Sequence, residues 1–240
     1  MFFPYLIKSK SSDIILEIGP GAYPYWRSDC LADIFDEISE VDLAQFGGAK
    51  LNTKGKPLFK ITNGKLPFKD KSFDYIICSH VFEHVPTKDM PLLTSEIMRV
   101  SKKAYIEFPR PLYDYIYNFD VHLNLMDIVN GEIVCLPKDK TSLDMLKKFH
   151  NYSLALRNIN MFAVETFYPS LMAVGSEFQN TIPLKILNQE EEFWNLIKGN
   201  NYYLKKPSLF WFMKNKFAPN RMKRKILGEK KREYFQNRLL

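Results

Sequence analysis

From Tyr75 to Cys78, within the stretch SFDYIICSH, every side chain is apolar or a thiol. A strand with one wet face alternates apolar and polar residues, so this run has no face left for water. It fits a central parallel strand covered on both sides, and parallel neighbours need crossovers between them. The chain should therefore alternate strands with helices or long loops, as an α/β protein does.

Other runs obey that expectation. Ile14–Ile18 reads as a first strand, SDCLADI ending near Asp33 as a second, and PLFKI (57–61) as a third, followed by a Thr62-Asn63-Gly64 turn. PTKDMPLLTSEIMRVS reads as a helix, with Thr87 or Asp89 as its cap and Leu93, Ile97 and Val100 on its inner face. KKAYIEF makes a fifth strand ending at Pro109. Residues 111–150 read as aromatic-rich and irregular, with GEIVCLPKD as a short strand. ALRNINMFAVETFY and LMAVGSEF read as a strand pair, and helical character returns from about residue 187.

The first strand runs into Gly19-Pro20-Gly21, with one acid, Glu17, just before the bend. Glycines at such a turn permit positive φ and close approach of a ligand to the backbone. A dinucleotide fingerprint needs a third glycine, but Pro24 stands there. A phosphate-binding Gly-Lys-Ser/Thr is also missing from this bend. What remains is E-x-G-x-G.

Three blocks then resemble one family: LEIGPGA-P, LPF-DKSFDYIICSHV-EHV and E-MRV-K-AYIE-P, within Ile15–Pro24, Leu66–Val85 and Glu96–Pro109. Together they look like the class I S-adenosylmethionine-dependent methyltransferases, in their small bacterial branch. The resemblance covers most of residues 13–110. It implies a Rossmann-like, doubly wound, mostly parallel sheet and S-adenosylmethionine as cofactor.

It also implies roles. Glu17 would accept the ammonium of the methionine part, Gly19 and Gly21 would let the backbone approach, and Asp33 would grip the ribose hydroxyls, with Asp36 as its rival. Thr62 stands where many relatives carry an acid near the adenine, with Asn63 beside it. Ser79 joins this cofactor set. His80, at the carboxyl edge of the sheet, is the candidate general base or alternatively a packing histidine. Glu83 and His84 would organise the site. Glu107, Tyr113 and His122 are candidate substrate contacts, with a supporting contact behind the site, a lid or core aromatic and an ordinary histidine as the alternatives. Only about seven residues separate Gly21 from the second strand, so the first crossover helix must be very short or replaced by a loop.

With 240 residues the chain suits one domain, residues 1–186, containing a possible lid or recognition insertion at 111–150. A helical basic extension over 187–240 would follow. Cys30, Cys78 and Cys135 show no metal-ligand or disulfide spacing and read as buried, reduced thiols of a cytoplasmic protein. No metal constellation stands out, and no residue is expected as a metal ligand. The apolar-then-basic start does not read as a secretion signal, and no run reaches the roughly 18 residues of a membrane span.

The net charge of +7 is unevenly placed. Residues 201–240 hold twelve Lys and Arg against two Glu, about +10, leaving about −3 for the rest. Leu209, Phe210, Trp211 and Phe212 precede the basic run. That arrangement suits a solvated basic helix or peripheral membrane contact, and RNA phosphates less well.

The expected function is methyl transfer to a small-molecule, sugar or lipid-linked acceptor, with oxygen preferred. CSHVFEH replaces the asparagine/aspartate-proline-proline-aromatic motif of amino-methylating DNA enzymes. The rival readings are a methyltransferase-like binding or scaffold module without activity and, weakened by Pro24, a nicotinamide dehydrogenase.

Overall fold

The structure is a computed structural model that describes residues 3–35, 52–117, 119–138, 169–200 and 231–240. The strand expected over ALRNINMFAVETFY, Asp36, His150 and the aromatic-basic run 209–230 lie outside the described residues. Among the described residues no helix is long and apolar enough to cross a membrane.

The first five strands are β1 (Ile15–Ile18), β2 (Cys30–Asp33), β3 (Leu58–Lys60), β4 (Tyr75–Ser79) and β5 (Lys103–Pro109). With β8 (Ala173–Gln179) they form one sheet in the order β3-β2-β1-β4-β5-β8. All neighbours are parallel except β8, which runs antiparallel to β5. Tyr75, Ile76, Ile77 and Cys78 are all fully buried, as a strand covered on both faces requires. The expected α/β, mostly parallel Rossmann-like sheet is therefore present.

Helix α1 (Met90–Val100) carries the chain from β4 to β5, with Pro91 in its first turn and Leu93, Ile97 and Val100 in the main core. Asp89 occupies the N-cap position, but neither it nor Thr87 caps the helix with its side chain. Thr87 Oγ1 donates instead to Asn124 Oδ1 at 2.8 Å. The three cysteines are buried and unpaired with one another.

The described part of the segment read as irregular, residues 111–117 and 119–138, is ordered. It contains helix α2 (Pro111–Tyr117) and an antiparallel hairpin of β6 (Asn124–Val129) and β7 (Glu132–Pro137). Asn130 and Gly131 turn that hairpin with φ of 51° and 82°, the pair of left-handed conformations that a two-residue hairpin turn demands. β9 (Leu184–Ile186) adds in parallel to β7. A short helix α3 (Pro169–Met172) leads into β8, and α4 (Glu190–Ile197) buries Phe193 and Ile197 against Leu125, Val134 and Leu136 of the hairpin.

Helix α5 (Lys231–Gln236) returns to the body. Phe235 is fully buried in the main core and stacks on Phe73, with 5.8 Å between centroids and 18° between planes. Backbone bonds from Lys69 to Arg238 and from Leu240 to Pro67 tie down the end of this segment. The described parts of residues 187–240 thus pack on the sheet and its hairpin.

Candidate active site

The strand order reverses at β1: β2 and β3 lie to one side, β4 and β5 to the other. Open α/β sheets bind ligands at the carboxyl ends of the strands beside such a switch point. A cavity of about 830 Å³ lies there. One half is walled by the Gly19–Tyr23 bend, Asp33, Ile61 and the Asn63-Gly64 turn, and the other by Ser79, His80, Glu83, His84, Tyr113, Phe119 and His122.

The bend is tight for a steric reason. Gly19 has φ of 63°, and a Cβ there would lie 2.4 Å from Val81 Cγ2, so only glycine lets the bend meet the loop after β4. Its N–H donates to Ala32 O at 2.9 Å, locking the bend to β2. Gly21 also adopts positive φ, at 53°, and lines the cavity.

No helix links β1 to β2: residues 19–29 cross over as loop and turns, as the short spacing implied. Glu17 takes part in holding that loop. Its carboxylate accepts the Tyr25 N–H at 2.8 Å and the Ser28 hydroxyl at 2.6 Å. Lys56 Nζ donates to Tyr25 O, and Arg27 Nη1 to Ser9 Oγ at 2.9 Å. Glu17 is buried, does not line the cavity and anchors the bend from behind. Burial pushes its pKa up, against the opposing pull of Ser28, Tyr25 and Lys56.

Asp33 ends β2 on the cavity wall and is 6% exposed. Oδ1 accepts a long bond from Phe35 N–H at 3.4 Å, while Oδ2 is buried and accepts no hydrogen bond. Burial raises its pKa to about 6, although backbone N–H groups of Phe35 and Ile34 pull the other way. Thr62 pairs with Lys65 in an isolated bridge and does not line the cavity; its neighbour Asn63, with φ of 52°, lines it instead.

His80 follows β4 with φ of 58°, an uncommon conformation for a non-glycine residue. Its N–H donates to Glu107 O at 2.8 Å. Nδ1 lies 3.2 Å from Glu83 Oε1 and Nε2 3.2 Å from Glu107 Oε1. Burial disfavours the imidazolium, but the carboxylates of Glu107 and Glu83 outweigh it and raise the pKa. A general base needs a free lone pair, and carboxylates this close to both ring nitrogens favour a proton on each. The geometry sets His80 between two carboxylates on the wall, which favours its protonated form.

Glu107 is fully buried behind His80 and does not reach the cavity, which corrects its reading as a substrate contact. It accepts from Ser79 Oγ at 3.0 Å, Tyr105 Oη at 2.6 Å and Phe3 N–H at 2.9 Å. Burial opposes its ionisation, but His80 and the Tyr105 hydroxyl win, holding its pKa at about 2. Ser79 lines the cavity.

Tyr113 and His122 both line the acceptor half, and their rings lie 18° from parallel at 6.4 Å. Asn124 places this wall: its Nδ2 donates to Val85 O at 2.7 Å, and the Leu123 N–H donates to Glu83 O at 2.7 Å. The hairpin is thereby stitched to the Phe82–His84 turn, and His122 comes within 4.9 Å, ring to ring, of His84. Glu83, His84 and His122 form a group that sequence spacing did not disclose, since His122 comes from a separate element.

Residues 16–104 match the family model described as a methyltransferase domain. No curated protein matches the chain in sequence. Similar solved structures include a protein of Pyrococcus horikoshii OT3, with 17% identity over 60% of this chain and 74% of that one and a TM-score of 0.36. A methyltransferase of Mesorhizobium loti shows 13% identity over 73% and 94%, with a TM-score of 0.39. One of Archaeoglobus fulgidus shows 20% identity over 63% of each chain, with a TM-score of 0.37. The match to the methyltransferase-domain model spans β1 to the start of β5, the part of the chain that carries the glycine bend, Asp33 and His80.

Proposed function

We propose that the chain transfers a methyl group from S-adenosylmethionine to an oxygen of a small-molecule, sugar or lipid-linked acceptor. The observation that carries this reading is the buried, unbonded Oδ2 of Asp33 on the cavity wall. A carboxylate oxygen shielded from water is costly without a donor, and ribose hydroxyls are donors of the right kind. The Gly19–Gly21 bend, free of side chains, leaves room for a ligand against the backbone, and Asn63 offers both donor and acceptor beside it. These residues fit the cofactor.

When bound, S-adenosylmethionine supplies an already activated methyl group and departs as a neutral thioether. The protein's task is then alignment and exclusion of water. Tyr113 and Phe119 wall the acceptor half with aromatic surface. His80 stands between Glu83 and Glu107, which favour its protonated form, and in that form it favours an electron-rich oxygen nearby. A proton lost by an acceptor hydroxyl would pass to water.

Isothermal titration with S-adenosylmethionine and its demethylated product tests the cofactor half. The expected result is saturable binding that Asp33→Asn weakens by about tenfold or more. Absence of heat for both compounds at millimolar concentration overturns the reading. Binding without methyl release, across hydroxyl-bearing acceptors, would instead identify a binding module.

A further inference from the structure

Three side chains on the acceptor half share an arrangement that methyl transfer alone does not explain. Glu83 is 1% exposed, and neither of its carboxylate oxygens accepts a hydrogen bond. Nδ1 of His80 lies 3.2 Å from Oε1, and His84 Nε2 lies 3.9 Å from the same oxygen. His80 faces Oε1, but Oε2 is left without a hydrogen bond at a depth where that is costly.

His84 and His122 stand beside this carboxylate. His84 Nδ1 lies 3.0 Å from the carbonyl oxygen of Val121, which can only accept, so Nδ1 carries the proton. His122 Nδ1 lies 3.0 Å from Asp114 Oδ1, which also accepts from Lys138 Nζ at 3.1 Å. Both rings are thereby fixed in one tautomer, and each neutral ring keeps its lone pair on Nε2. Ligand atoms of Glu83, His84 and His122 all lie within 4.8 Å of one another. Metal-bound histidines characteristically donate their other N–H to a carbonyl or carboxylate, as both do here.

We infer that Glu83, His84 and His122 bind a divalent transition-metal ion on the cavity wall. Two imidazoles and one carboxylate, without thiolate, suit zinc, iron, cobalt or nickel better than calcium or magnesium. Three protein ligands leave coordination positions open. If the chain methylates an oxygen as proposed above, an acceptor hydroxyl could occupy one of them and lose its proton to water more readily. That consequence rests on the proposed function; metal binding itself does not.

The test uses the full chain, stripped with chelator and without S-adenosylmethionine, titrated with Zn²⁺ and with Co²⁺. One ion per chain is expected, together with visible absorption from bound Co²⁺ and a metal-dependent rise in Tm. His84→Ala and His122→Ala should each weaken Zn²⁺ binding by more than about 100-fold. Asp114→Asn, which keeps all three ligands, should weaken it by about 10–100-fold. Tm of the stripped variants reports whether each is folded, and Asp114→Asn carries the comparison if a histidine variant is not. The inference is overturned if the folded wild-type chain binds neither ion at one equivalent, or if binding is indifferent to all three substitutions. Cofactor titration of the same stripped sample separates this failure from failure of the methyl-transfer reading.

Discussion

The Glu17 carboxylate and the Tyr25 backbone N–H, 2.8 Å apart, join the end of β1 to a crossover that contains no helix. A parallel crossover ordinarily closes through a helix packed on the sheet. Here one buried acid, reaching Tyr25 and Ser28, holds the loop to the strand.

Glu17→Gln should therefore destabilise the protein as well as impair it. The Tyr25 N–H reaches both carboxylate oxygens and the Ser28 hydroxyl only Oε2, so a glutamine amide nitrogen in either place faces the Tyr25 N–H without accepting it, at a cost of about 1–3 kcal/mol. Urea unfolding should show a lower midpoint at unchanged slope. Cofactor affinity should fall with it, because Gly21 and Tyr23 of the same loop line the cavity. A loss of affinity with the midpoint intact would place Glu17 in direct contact with the ligand.

The outline of the fold was legible because its strands are short apolar runs ended by glycine, aspartate or proline, and α1 carries a clean inner face. The direction of Glu17 was not legible. All four residues of β1 are buried, so alternation gives no clue to which face the acid takes. The β6–β7 hairpin was legible but overlooked: Asn130-Gly131 between LMDIV and EIVCL is a strong hairpin signal, masked by the aromatic residues before it. His80 was found, but its clamp was not, since Glu107 reaches it from a neighbouring strand. The nearness of His84 and His122 depends on Asn124 bonding across to Val85, a tertiary contact with no sequence period.

Cofactor affinity should depend on pH through Asp33. Its pKa in the free protein is raised to about 6 from 3.8, chiefly by burial. A raised acid contributes stability below its unfolded pKa and loses it as pH climbs through the folded value, so ionised Asp33 strains the empty protein near neutrality. Hydroxyl donors relieve that strain by binding the ionised form. Affinity should thus be greatest above pH 6 and fall by about tenfold for each unit below it, flattening where the bound form also protonates. Titrations between pH 5 and 8 check the slope. Asp33→Asn should bind weakly and lack this component; an identical slope in the variant would assign the pH dependence elsewhere.

The last ten residues should behave as part of the body. Phe235 sits in the main core against Phe73, and Phe68 bridges to Leu239 beside it. Removing a buried phenylalanine side chain loses its transfer free energy and leaves a cavity, about 3–5 kcal/mol for Phe→Ala. Phe235→Ala should lower the urea midpoint of the whole domain, with β4 and α1 losing hydrogen-exchange protection along with α5. It should also expose the 231–240 segment to protease under native conditions, because Lys69 and Pro67 would no longer hold its backbone. A variant whose sheet keeps full protection while only α5 exchanges would show that the segment adds its contacts without supporting the core.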